Sequence, residues 1–204
     1  MKEKYLDDLK DIREIMNRSS RFISLSGLSG ISAGIFGLAG AFLAYRYVFS
    51  GQNYLVYDQI SIPVKAFSQL IFIALAAFTL AISTTIYFTT RQSKKKQLGI
   101  WDQQTKNLLF NLITPSITGG IVCIILMLKG YIGIVIPLTL VFYGLALYTA
   151  SNFTMKEVRI LGFIQIVLGI IALLFVEYSL HIWAVGFGLV HIIYGIIVER
   201  KYKP

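Results

Sequence analysis

Uncharged, apolar stretches alternate with charged segments along the whole chain. Each stretch is near the ~20 residues that an α-helix needs to cross a bilayer. A transmembrane β-barrel would need alternating apolar and polar positions, and the run Leu70-Ile71-Phe72-Ile73 does not alternate. The pattern predicts an all-α, polytopic membrane protein with six transmembrane helices, at about 22–45, 66–90, 108–128, 131–150, 158–176 and 180–198.

The boundary between the last two stretches carries neither Gly nor Pro. One unbroken helix from Val158 to Val198 would be roughly 60 Å long, about twice the thickness of the hydrocarbon layer. The chain is therefore expected to turn near Ser179.

Composition agrees with this pattern. Of 204 residues, 56% are hydrophobic and only 14% are charged, whereas soluble domains carry about 25% charged residues. A soluble protein is therefore excluded.

Basic residues predict the orientation. All but three of the 19 Lys and Arg residues lie on one side of the predicted spans, the exceptions being Arg46, Lys65 and Lys129. By the positive-inside rule, that side, with both termini, is cytoplasmic in a multi-pass protein of the bacterial inner membrane. The net charge of +9 then faces anionic inner-leaflet lipids rather than nucleic acid.

Residues 1–21 form a charged arm before the transmembrane domain, residues 22–204. Tyr5, Leu9, Ile12 and Met16 recur at helical spacing, which predicts a cytoplasmic amphipathic helix. Such a helix can lie on the inner leaflet, dock on the inner loops or bind a cytosolic protein partner.

Short sequence matches indicate an internal repeat. Residues 31–35 resemble residues 117–121, and Tyr143-Gly144 resembles Tyr194-Gly195. These matches favour three helical hairpins related by an axis along the membrane normal. The hairpin pattern, most of all in residues 161–202, resembles the HdeD-type six-helix bacterial membrane proteins, which are associated with acid stress. The resemblance implies a stress-related role.

Small residues dominate the first predicted helix. A helix-packing surface is predicted at spacings of three and four, formed by Ser26, Gly30, Gly34, Gly37 and Ala41. Small residues at such spacing let helix backbones approach closely. The partner is either a second copy of the chain, in a homo-oligomer, or another helix of the same bundle.

Hydroxyl residues gather in the predicted cytoplasmic half of the spans, among them Ser83, Thr84, Thr114 and Tyr148. They could line a polar cavity open to the cytoplasm. Alternatively, their hydroxyls bond to carbonyls of their own helices, as Ser and Thr commonly do.

Gln165 and His191 lie at similar predicted depth, ~10 Å from the inner boundary at 1.5 Å per residue. An intramembrane ionisable group is a functional candidate by default, although a neutral imidazole bonded to the Gln165 amide would also explain the pair. Glu177 and His181 flank the predicted outer turn, where they are either a periplasmic pH-sensitive pair or merely interfacial residues.

Motifs for catalysis are absent from the sequence: it has no HExxH, GxSxG, Walker loop or CxxC. No catalytic, cofactor-binding or metal-binding residues are predicted. We expect a non-enzymatic membrane protein with a structural, regulatory or stress-related role. The alternative is a small transporter or channel-like protein with a cytoplasm-facing polar cavity.

Overall fold

The computed structural model describes residues 26–95 and 103–202. The predicted amphipathic arm, the start of the first predicted span and part of the central basic loop lie outside these residues. The described α-helices are α1 (Gly27–Ala44), α2 (Val64–Lys95), α3 (Gln103–Leu128), α4 (Ile132–Ala150), α5 (Lys156–Leu174), α6 (Ser179–Trp183) and α7 (His191–Tyr202).

Six helical segments of the described residues are long and apolar enough to cross a membrane, which confirms the predicted number of spans. They are Gly27–Phe49, Val64–Lys94, Gln103–Leu128, Ile132–Phe153, Lys156–Leu174 and Val176–Tyr202. Residues 26–95 and 103–202 contain no β-strand. The chain is a multi-pass, all-helical membrane protein.

Two spans contain π-helical segments, Tyr45–Phe49 at the end of the first and Ala184–Val190 within the sixth. The sixth span therefore consists of a 3₁₀ turn, α6, the second π segment and α7 in succession. The chain turns slightly before the predicted position, because α5 ends at Leu174 and Ser179 already begins α6.

The first span packs between α2 and the sixth span, and α4 packs between α3 and α5. The sixth span joins the two groups through its contacts with α4 and α5. Among the described helices, α2 packs mainly on the first span and α3 mainly on α4, so each has an edge position in the bundle. The repeat symmetry of three hairpins stays a prediction.

The predicted small-residue surface of α1 packs against the sixth span. A Cβ atom on Gly34 would lie 2.7 Å from the carbonyl oxygen of Gly188, and one on Gly37 would lie 2.6 Å from that of Phe187. Such distances are below van der Waals contact, so only glycine permits this approach of the two backbones.

The remaining residues of this surface lie towards the two ends of α1. Gly30 faces the backbone of Gly195. Ser26 is buried at the start of the helix, and Ala41 belongs to a buried apolar cluster with Ile136 and Leu180. The whole predicted surface is thus buried within a single chain.

The connection between α1 and α2 crosses the end of the bundle that we call the outer end, where residues 50–63, 129–131 and 175–178 meet. The amide of Ile60 donates to the carbonyl of Gly130 at 3.0 Å. The hydroxyl of Tyr57 donates to the carbonyl of Leu173, one of the last carbonyls of α5, which have no partner within their own helix. These bonds hold residues 50–63, which we call the strap, across the ends of three other spans.

Candidate functional site

A buried polar cluster lies where α5 meets the sixth span. Gln165 is 0% exposed and His191 is 4% exposed. The Gln165 Nε2 atom lies 2.8 Å from the carbonyl oxygen of Gly186, and the His191 Nδ1 atom lies 2.9 Å from the same oxygen. The two side chains that the sequence places at equal depth therefore meet at one backbone carbonyl.

Tyr143 of α4 completes the cluster. Its hydroxyl lies 3.0 Å from the His191 Nε2 atom. Because the Gly186 carbonyl can only accept, we assign the ring proton to Nδ1, which leaves Nε2 to accept from the Tyr143 hydroxyl. In this arrangement a neutral imidazole is satisfied at both nitrogens.

The Gln165 amide lies beside the imidazole rather than accepting from it. The Gln165 Nε2 and His191 Nδ1 atoms are 3.3 Å apart, and with the assigned tautomer both donate to Gly186. The other amide atom, Gln165 Oε1, has no hydrogen-bond partner. The structure thus brings the predicted pair together, but through a shared acceptor that the sequence did not indicate.

The π-helical segment makes room for this arrangement. A Cβ atom on Gly186 would lie 2.6 Å from Gln165 Oε1 and 2.7 Å from the side chain of Leu140. A glycine at this position lets the amide reach the backbone of the sixth span. Single π-helical insertions often mark functional sites, and here the insertion carries the carbonyl that holds the cluster.

Aromatic rings enclose the imidazole. The Phe187 ring stacks on His191 with a centroid distance of 5.7 Å and an interplanar angle of 10°. Trp183 packs on Phe187 at 4.6 Å and donates its indole N–H to Thr139 Oγ1 at 3.0 Å. The rings at 183, 187 and 191 form one column along the sixth span, facing α4.

The predicted hydroxyl residues lie apart from this cluster. Thr84 donates to the carbonyl of Leu80 at 2.8 Å, and Thr114 donates to that of Phe110 at 2.9 Å. Ser83 is exposed on α2. These two threonine hydroxyls therefore donate within their own helices, as Ser and Thr commonly do, while Thr84 Oγ1 also accepts from the Ser32 hydroxyl of α1 at 3.2 Å.

Tyr148 is half exposed at the end of α4, and its ring lies 5.8 Å from the guanidinium carbon of Arg159. It contacts neither Gln165 nor His191 through a described hydrogen bond or ring contact. Its position belongs to the end of the bundle opposite the outer end, which we call the basic end.

Glu177 and His181 are not joined by an ion pair or hydrogen bond in the described part of the chain. The His181 ring instead packs near Tyr45 and Tyr178, at centroid distances of 6.1 and 6.5 Å, and Glu177 is exposed. This geometry favours two interfacial side chains over a coupled pair.

Cavities are found at the outer end. A cavity of about 550 Å³ lies between residues 59–62 of the strap and residues 127–132, and one of about 300 Å³ lies between residues 56–58 and 174–178. His191 lines neither of them. Within residues 26–95 and 103–202, no three His, Cys, Asp or Glu side chains gather closely enough to hold a metal ion.

Comparison of the chain with protein-family models, curated proteins and solved structures finds no match. The resemblance to HdeD-type proteins stays a prediction from the sequence.

Proposed function

We propose that this chain is a non-enzymatic protein of the bacterial inner membrane with a structural, regulatory or stress-related role, and that both termini face the cytoplasm. The observation that carries the proposal is the closed hydrogen bonding of His191. Both ring nitrogens have partners inside the bundle, on Gly186 and Tyr143, and the ring is stacked on Phe187.

A group that relays protons or binds a substrate needs access to water or to that substrate. An ionisable side chain inside a membrane protein that serves such a role faces a cavity or pathway. His191 instead joins α4 to the sixth span, while Gln165 joins α5 to the same segment. The hydrogen bonds of this cluster therefore hold three spans together.

The basic side of the bundle supports the proposed orientation. Four basic side chains lie at the basic end, together with the C-terminal part of the chain, as expected for a cytoplasmic face. They are Lys94, Lys106, Lys156 and Arg200. The stress-related role follows from the HdeD-type resemblance alone.

Proteoliposomes test the proposal against the transporter alternative. A pH-sensitive dye trapped inside vesicles should report the same proton leak with the protein as without it, at neutral and at acidic external pH. A proton flux that His191→Asn abolishes while the protein stays folded would contradict the structural role of His191 and favour the transporter.

A further inference from the structure

Arg159 is held in a fixed orientation at the basic end. It lies in the first turn of α5 and is exposed. Its Nε atom donates to Ser151 Oγ at 3.2 Å, and one terminal nitrogen donates to Asn152 Oδ1 at 2.8 Å. The Tyr148 ring lies against the same guanidinium, within the distance of a cation–π interaction.

The groups that hold Arg159 are neutral and are themselves fixed. Ser151 donates its hydroxyl to the carbonyl of Tyr148 at 2.6 Å, and the Asn152 amide donates to the carbonyl of Thr149 at 3.2 Å. Both side chains can therefore only accept from the guanidinium. The charge of Arg159 is oriented without being neutralised.

Lys201, at the same end, is bound differently. Its ammonium lies 2.5 Å from a carboxylate oxygen of Glu157, so its charge is already paired. No carboxylate pairs with Arg159 among the described residues, and three of its five N–H donors have no described acceptor. Arg159 is thus a preoriented cation with free donors.

We propose that Arg159 and Lys156 bind the phosphate of an anionic lipid headgroup. A guanidinium presents its donors as a fork that matches phosphate oxygens. Lys156 precedes Arg159 by three positions on α5, so the two cations lie on the same face of the helix. The site brings two positive charges to the place where α5 enters the membrane.

The surface that continues this face is apolar, which favours a lipid over a soluble anion. Phe163 follows Arg159 by four positions, on the same face of α5, and is 59% exposed. Its side chain is placed to contact an acyl chain of a lipid whose phosphate binds Arg159. A soluble phosphate would gain nothing from this contact.

Native mass spectrometry of the full chain in detergent tests the site, with phosphatidylglycerol as the probe and phosphatidylcholine as the comparison lipid. Arg159→Gln should weaken the tightest phosphatidylglycerol binding about tenfold, the loss of one charge-assisted hydrogen bond. Arg200→Gln is the matched control, because Arg200 is exposed at the same end. The control should bind phosphatidylglycerol like the wild type.

Equal affinities of the Arg159→Gln and Arg200→Gln variants for phosphatidylglycerol would overturn the proposal. If Arg159→Gln does not fold, Arg159→Lys replaces it: this variant keeps the charge and loses the fork, so wild-type affinity in it would equally overturn the site. Excess inorganic phosphate should not displace the lipid. Displacement would identify a soluble anion as the ligand and contradict the choice of a lipid.

Discussion

A methyl group at Gly195 should separate the first span from the sixth. A Cβ atom built on Gly195 lies 2.5 Å from the carbonyl oxygen of Gly27 and 2.5 Å from the amide nitrogen of Ile31. Both contacts are with backbone, which cannot move aside as a flexible side chain does. The Gly195→Ala variant must therefore shift one whole helix away from the other.

Ordinary carbon contacts lie at about 3.5–4.0 Å, so the helices must move apart by about 1 Å at this point. Overpacking of this kind costs about 1–3 kcal/mol. The glycine contacts at Gly30 and Gly34 lie on the same interface and would loosen as well. We expect the upper part of this range, which exceeds the ~1 kcal/mol that alanine gains over glycine through helix propensity.

Thermal unfolding in detergent, followed by intrinsic fluorescence, measures the effect. A chain of this size loses roughly 2–4 °C in melting temperature for each kcal/mol. Gly120→Ala is the matched control, since a Cβ atom there meets nothing within 4 Å; it should leave the melting temperature unchanged or raise it. If Gly195→Ala melts at or above the temperature of Gly120→Ala, the close packing of the two spans is wrong.

Three further outcomes are expected. His191→Leu should lower the free energy of unfolding by only ~1–2 kcal/mol, since intramembrane hydrogen bonds average ~0.6 kcal/mol each. His191→Asn should lower it by less, and equal losses of stability in the two variants would contradict the hydrogen-bonding role of His191. Tyr57→Phe should speed amide hydrogen exchange in the strap, because the bond to Leu173 is lost, and unchanged exchange would show that this bond does not hold it. In a Cys123→Ala background, the thiol of a Gln52→Cys variant should react with an impermeant thiol reagent added outside intact cells. Labelling only after lysis would reverse the proposed orientation.

The number of spans could be predicted because charged residues are expensive in hydrocarbon and therefore mark the ends of each crossing. The spacing of Gly30, Gly34 and Gly37 likewise predicted a packing surface on α1. It could not identify the partner, because small residues permit close approach by any helix. Only the three-dimensional arrangement shows that the sixth span fills this surface.

The candidate site was predicted in part. Counting positions from the helix ends placed Gln165 and His191 at the same depth, since helical rise is constant. Tyr143 was missed because it comes from α4, and depth alone does not show which third helix contacts a pair. The π segment was missed because the run from Ala184 to Val190 has no polar position that would mark it; the glycines at 186 and 188 were its only signal.

Because the sixth span fills the glycine surface of α1, the first described span is synthesised well before the segment that packs against it. Until the segment Ala184–Val190 and α7 enter the bilayer, none of the described helices fills the glycine groove along α1, and α2 covers only the other side of that helix. Nascent chains cut short before the sixth span would expose this groove to lipid or to other proteins. Membrane proteases that survey incomplete products should therefore degrade such chains faster than the full-length protein.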